Sequence, residues 1–182
     1  MQTPVYGNDD QLMLAQLLGK QLSDIRMAGW IADGSRLVIR QEKVFIKIGD
    51  EYLRVSSMSG EPIELQVVSE VDFDYDLDEL GPFCSVSLKY VLLHNLDMNP
   101  RITGVSLFYI VGEPDQLHGV LIKTKYAETE TLFIETDIVH GLHFGHQYDA
   151  DIWVDWQKEK NEACLILDST PDNTFVARQG TI

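Results

Sequence analysis

The chain has 182 residues, of which 45% are hydrophobic and 24% are charged, as in ordinary folded globular domains. It contains 14 Lys and Arg residues and 29 Asp and Glu residues, so the formal net charge is −15. This balance excludes the usual kind of nucleic-acid-binding protein, because such proteins need a basic footprint to neutralise phosphates. We expect a single domain over residues 1–182, with the Gly81-Pro82 turn as a candidate subdomain boundary.

Neither a membrane span nor a secretory signal is predicted. No apolar stretch approaches the roughly 18 residues that a spanning helix needs. The N-terminus lacks a basic region, and two aspartates precede its apolar run, which is atypical of a signal peptide. Two cysteines, Cys84 and Cys164, are too few for a disulfide framework and are expected to be reduced and buried. These features predict a cytoplasmic protein.

The first element is predicted to be a helix. Asn8 or Asp9 can cap it, and an apolar stripe follows at three- and four-residue steps, formed by Leu14, Leu18, Leu22 and Ile25. Gly29 is placed to end it. Gly19 interrupts the stripe, so two short helices are the alternative.

Beyond Gly29 the hydrophobic period changes to two, which indicates antiparallel strands with one buried face. The predicted strands are Arg36–Gln41, Val44–Ile48, Tyr52–Ser57, Ile63–Glu70, Val71–Leu77, Cys84–Leu93, Thr103–Val111, Val120–Lys125, Thr131–Asp137, Ala150–Trp156 and Ala163–Asp168. Gly49-Asp50 fits a two-residue type II′ hairpin. Val105–Val111 is apolar on both faces, so we expect it to be central, with the N-terminal helix as a cover. The predicted fold is mainly β (α+β), an antiparallel sandwich or barrel of about 8–10 strands with one N-terminal helix.

The most unusual segment is VDFDYDLDEL, residues 71–80, called here the acidic run. As a strand it would project Asp72, Asp74, Asp76 and Asp78 from one face about 6.6–6.8 Å apart. No Lys or Arg occurs between Val55 and Leu88, so these like charges lack a local counter-charge. We therefore predict that these four aspartates and Glu79 bind a basic protein partner.

Two other interpretations of the acidic run remain open. The first is a solvated strand whose charges discourage edge-to-edge aggregation. The second is a calcium site, since the run begins with the D-x-D-x-D pattern. Against an EF-hand, Leu77 stands where glycine is needed and Phe83 where glutamate is needed.

The segment HGLHFGHQYD, residues 140–149, offers a candidate metal site. His140, His143 and His146 could supply imidazole ligands, with Asp149 as an oxygen ligand. Residues three apart point to opposite faces of a strand, and two glycines disfavour a helix. The alternative is an exposed turn between strands.

In DADIWVDW, residues 149–156, Trp153 lies between Asp151 and Asp155 in sequence. On an exposed strand face Trp153 would be an anchor for a partner. The alternative is that both tryptophans of this segment are buried.

The favoured function is a non-catalytic acidic protein that engages a basic protein partner, for which an inhibitor or immunity-type antidote is one concrete form. The alternatives are a β-barrel that encloses a small ligand and a metal-dependent enzyme built on the histidines at 140–146. The sequence contains no G-x-S-x-G elbow, P-loop or G-x-G-x-x-G motif. We expect no cofactor and no direct contact with nucleic acid or membrane.

Overall fold

The computed structural model describes residues 7–73, 83–93 and 99–179. Within these ranges the chain forms eleven strands and three helices, and its two sheets are antiparallel throughout. The predicted mainly β, antiparallel fold is confirmed. Of the helices described, none has the length and apolar character that crossing a membrane requires.

The elements follow one another along the chain in this order: α1 (Asn8–Ala15), β1 (Leu22–Ala32), β2 (Arg36–Ile48), β3 (Glu51–Ser56), β4 (Glu64–Val68), β5 (Phe83–Ser87), α2 (Lys89–Leu92), β6 (Arg101–Ile110), β7 (Leu117–Lys125), β8 (Thr129–Asp137), β9 (Gly141–Gly145), α3 (Gln147–Glu159), β10 (Cys164–Ser169) and β11 (Phe175–Gln179).

The strands divide into two sheets. Sheet 1 has the order β4-β3-β2-β1-β5, and sheet 2 has the order β11-β10-β6-β7-β8-β9. The predicted Gly49-Asp50 hairpin joins β2 to β3, with Ile48 paired to Glu51. Gly49 has a φ of 62°, which a type II′ turn requires at its first central position.

A hydrophobic cluster fills the space between the sheets. Sheet 1 contributes Val44 and Ile46, and sheet 2 contributes Leu107 and Ile134, all with 0% exposure. Because side chains alternate along a strand, each sheet turns one apolar face inward. Strand β6 is buried on both faces, as predicted, because Phe108 belongs to a second cluster on the far side of sheet 2.

The N-terminal helix is much shorter than predicted. It ends at Ala15, Gly19 adopts a φ of 79°, and β1 begins at Leu22. The backbone N–H of Leu22 donates to the Pro100 carbonyl at 2.8 Å. This bond ties the start of β1 to the segment just before β6. Leu22 and Ile25 are fully buried, as the apolar stripe suggested, but as strand residues.

The second large error in the predicted elements concerns residues 150–156, which were expected to form a strand and instead lie within α3. Helix α3 packs on the outer face of sheet 2. It buries Ala150, Trp153 and Gln157, which recur at three- and four-residue steps. Helix α3, not α1, covers the outer face of β6.

Three further differences also concern strands. The predicted strands Arg36–Gln41 and Val44–Ile48 form one continuous strand, β2. Helix α2 replaces the end of the predicted strand Cys84–Leu93, and β9 occupies a predicted turn.

Cys164 is buried and Cys84 is half-buried, and no disulfide joins them. The candidate boundary at Gly81-Pro82 lies outside the described residues.

Candidate protein-docking site

The described part of the acidic run is not a strand. Strand β4 ends at Val68, and residues 71–73 carry no strand structure, so the predicted continuation of the strand is wrong there. Asp72 is exposed. Phe73 packs edge-on against Phe45, with ring centroids 5.1 Å apart. Asp74, Asp76, Asp78 and Glu79 lie outside the described residues.

Phe45 lies on the outer side of sheet 1, in the middle of a group of cations. Lys43 and Lys47 share its side of β2 because they are two residues away. Arg26 of β1 and Arg54 of β3 are its direct cross-strand partners, which places them on the same side. We call Arg26, Lys43, Lys47 and Arg54 the basic sheet face. The acidic run therefore begins beside cations that are distant from it in sequence, which weakens the prediction that its charge is left for a partner.

Asp24 is an acid on this same side of sheet 1, opposite Lys47. Its carboxylate accepts hydrogen bonds from the Ser87 hydroxyl, the Arg26 Nε and the Ile25 amide. Burial raises the pKa of Asp24, but these hydrogen bonds outweigh it, so the pKa lies below the ordinary value.

The three histidines do not converge on a common point. His143 Nδ1 lies 3.0 Å from Glu135 Oε1, and His146 Nδ1 lies 2.6 Å from the Thr131 carbonyl oxygen. His140 is exposed on the β8–β9 turn, where its backbone N–H donates to Asp137. In the described part of the chain, no group of three or more His, Cys, Asp or Glu residues is placed to hold a metal ion.

His146 and Asp149 instead fix the start of α3, together with Gln147 and Thr131. The Asp149 carboxylate accepts the His146 amide at 2.7 Å as part of a capping box. The Gln147 amide donates to the Thr131 hydroxyl oxygen at 2.9 Å. Since Thr131 belongs to β8, the first turn of the helix is tied directly to sheet 2.

Trp153 is not the exposed anchor that was predicted. Its exposure is 4%, and its ring packs edge-on against Phe108 at 5.7 Å. The error follows from the change of period, because in a helix residue 153 turns toward the sheet with Ala150. The exposed tryptophan of this segment is Trp156, at 53%.

The outer side of α3 carries a row of large apolar side chains. Tyr148, Ile152 and Trp156 are 73%, 48% and 53% exposed. Their spacing of four residues aligns them along the helix over about 12 Å. We call them the apolar ridge. Lys160 Nζ lies 3.7 Å from the centroid of the Trp156 ring, a cation–π contact that covers part of one indole face.

A parallel row of acids borders the ridge. Asp151, Asp155 and Glu159 also recur every fourth residue and are exposed; we call them the acidic row. Gln147 donates to Asp151 at 3.0 Å, and Lys158 pairs with Asp155 at 3.0 Å. Exposed contacts of this kind are weak, so the row keeps most of its negative field.

Glu135 of β8 lies near the start of α3, where the charge of Asp149 acts on it. Its side chain is 18% exposed and contacts His143. The pKa of Glu135 lies above its ordinary value, chiefly because of burial; His143 lowers the pKa, and the nearby charges of Asp149 and Asp137 raise it. The carboxylates near the first turn of α3 therefore act on one another.

Sequence reasoning missed this surface because it treated residues 150–156 as a strand. The four-residue spacing of Tyr148, Ile152 and Trp156 was the signal that could have revealed it.

Two surface cavities lie elsewhere, against β2. They measure about 400 and 450 Å³, and both are lined by Arg40 and Glu42, whose side chains form an ion pair at 3.0 Å. The second cavity is also lined by Val139 and His140 of the β8–β9 turn, and no buried member of the hydrophobic cluster lines either cavity. The described residues thus give no support to the hypothesis of a barrel that encloses a ligand.

No family model, curated protein or solved structure was found to match this chain.

Proposed function

We propose that this protein is a non-catalytic binding protein that engages a basic protein partner through the outer side of α3. The observation that carries the proposal is the apolar ridge of Tyr148, Ile152 and Trp156 lying beside the acidic row. An inhibitor or antidote that neutralises a basic protein is one form that such a protein takes.

The two rows have complementary roles in such an interface. Aromatic side chains are frequent anchors because they bury a large area at a small entropic cost. The charges of a rim mainly accelerate association and select the partner. The acidic row and the net charge of −15 would steer a cationic protein toward the ridge.

The acidic run is the weaker candidate for this role. Phe73 packs against Phe45, in the centre of the basic sheet face. Cations of the same chain therefore oppose the beginning of the run. On α3, the basic residues beside the acidic row are Lys158 and Lys160 at its C-terminal end.

A pair of charge-matched variants tests the proposal. One carries Asp151→Asn, Asp155→Asn and Glu159→Gln, and the other carries Asp72→Asn, Asp74→Asn and Asp76→Asn, so each loses three negative charges. The probe is an immobilised peptide of about 18 Lys and Leu residues. As a helix it would span about 27 Å, which exceeds the roughly 20 Å length of α3. The association rate is measured at low and at high salt.

The α3 variant is expected to associate about tenfold more slowly at low salt, and the run variant no more than about threefold more slowly through its net charge. Both differences should shrink near 1 M salt, where the Debye length is about 3 Å. Equal losses in both variants, or a larger loss in the run variant, would refute the assignment to α3. Circular dichroism of both variants checks that they are folded.

A further inference from the structure

We infer that the partner segment that occupies the apolar ridge is itself an amphipathic α-helix, with basic residues along one edge of its apolar face. This inference rests on the proposed function and specifies the kind of partner that the same surface fits.

The first argument concerns backbone hydrogen bonds. The interior of α3 directs its N–H and C=O groups along its own axis, so its outer side offers a partner side chains alone. An extended segment pressed against Ile152 and Trp156 would bury backbone groups that find no acceptor or donor there, at a substantial energetic cost. A helix satisfies these groups internally, which makes it the suitable backbone for this surface.

The second argument concerns shape. Tyr148, Ile152 and Trp156 form a continuous ridge at four-residue steps. Helices commonly pack by placing such ridges in the grooves of a second helix, with axes about 8–10 Å apart. With 13 residues, α3 spans about 20 Å, which is enough for a partner helix of a few turns.

The third argument concerns the placement of charge. The acidic row borders the ridge on one side, and Lys160 lies over Trp156 at the C-terminal end. A partner helix therefore matches this surface when its Lys or Arg residues line one edge of its apolar face.

Three peptides of equal length test the inference with the full chain, the first two with equal Lys and Leu content. The first has a helical pattern of Leu, the second alternates Leu and Lys as in a strand, and the third is the helical pattern with a central Pro that breaks the helix. Affinity is measured by calorimetry, and helix formation in the bound peptide by circular dichroism. The helical peptide is expected to bind at least tenfold tighter than the other two and to gain helicity.

Two single variants locate the binding. Trp156→Ala should weaken binding of the helical peptide about 30-fold, as expected for an aromatic anchor. Val176→Ala changes a side chain that is similarly exposed, at 55%, on β11, and should leave the affinity unchanged.

The outcomes separate the inference from the proposed function. Equal binding of the alternating peptide, still weakened by Trp156→Ala, overturns the helical partner and leaves the proposed function standing. Binding that Trp156→Ala and Val176→Ala affect equally, or no binding of any peptide, overturns both.

Discussion

Two acidic regions of this chain differ in what lies next to them. The acidic run begins at a contact between Phe73 and Phe45, on a side of sheet 1 that carries Arg26, Lys43, Lys47 and Arg54. The acidic row of α3 instead borders three exposed apolar side chains. The run contains the denser acidic sequence, yet the row is the better candidate for contact with another protein.

The difference shows that a cluster of like charges in a sequence does not establish that the charge is free. Residues from β1, β2 and β3 bring cations near Phe73, at the start of the acidic run, from positions 18 or more residues earlier in the sequence. The outer side of α3 combines modest charge with uncovered apolar area, and exposed apolar area is the more informative sign of an interface.

The largest expected effect concerns the contact at the start of the run. Phe45 is 1% exposed, so Phe45→Ala should lower the free energy of unfolding by about 3–5 kcal/mol. On α3, Trp156→Ala should lower it by less than about 0.5 kcal/mol, because Trp156 is half-exposed and its loss leaves no cavity. Urea unfolding of both variants measures the contrast. Similar losses of unfolding free energy in both variants would show that Trp156 stabilises the fold, as a buried core residue does.

An intermediate effect concerns Asp24, which holds Arg26 and Ser87 on the basic sheet face. Asp24→Asn should cost about 1 kcal/mol at neutral pH, since it weakens a partly exposed charged hydrogen-bond network. Because the pKa of Asp24 is lowered in the folded state, its ionised form stabilises the fold above the ordinary aspartate pKa. This stabilisation is lost as the pH falls through the lower folded pKa.

The measurement for Asp24 is the free energy of unfolding of the wild type and of Asp24→Asn between neutral pH and about pH 3. The difference in free energy of unfolding between the wild type and Asp24→Asn should shrink as the pH falls. A gap independent of pH would contradict the role given to the Asp24 charge.

The smallest expected effects are changes in the free energy of unfolding when one acid from each region is neutralised. Asp72 adjoins Phe73, which lies over the basic sheet face, so Asp72→Asn should lower the free energy of unfolding by about 0.5 kcal/mol. Glu159 lies in the last turn of α3, where the helix dipole disfavours negative charge. Glu159→Gln should raise the free energy of unfolding by about 0.3 kcal/mol or more. Shifts of the same sign in thermal unfolding would contradict the comparison.

The hairpin of β2 and β3 in sheet 1 could be predicted from the sequence. The alternation in FIKIGDEYLRV placed Ile46, Ile48 and Leu53 on one buried side, and the Gly49-Asp50 turn set the register of β2 and β3. These signals are local, since they depend on a two-residue period and on a glycine with positive φ.

The surface on α3 could not be predicted in this way because its segment fits two periods. Ile152, Val154 and Trp156 alternate as in a strand, while Ala150, Trp153 and Gln157 recur as on a helix. The capping box of His146 and Asp149 and the tie from Gln147 to Thr131 favour the helix. The second of these depends on a strand that lies 16 residues earlier.

By itself the sequence determined the antiparallel β character of the chain, the hairpin at Gly49-Asp50 and the doubly buried strand β6, because period and turn chemistry act over a few residues. Only the tertiary structure decided that Leu22 and Ile25 belong to a strand, that Trp153 is buried while Trp156 is exposed, and which charges have cations beside them. Those outcomes depend on contacts between distant segments, whose energies outweigh the local preferences of a chain that fits more than one pattern.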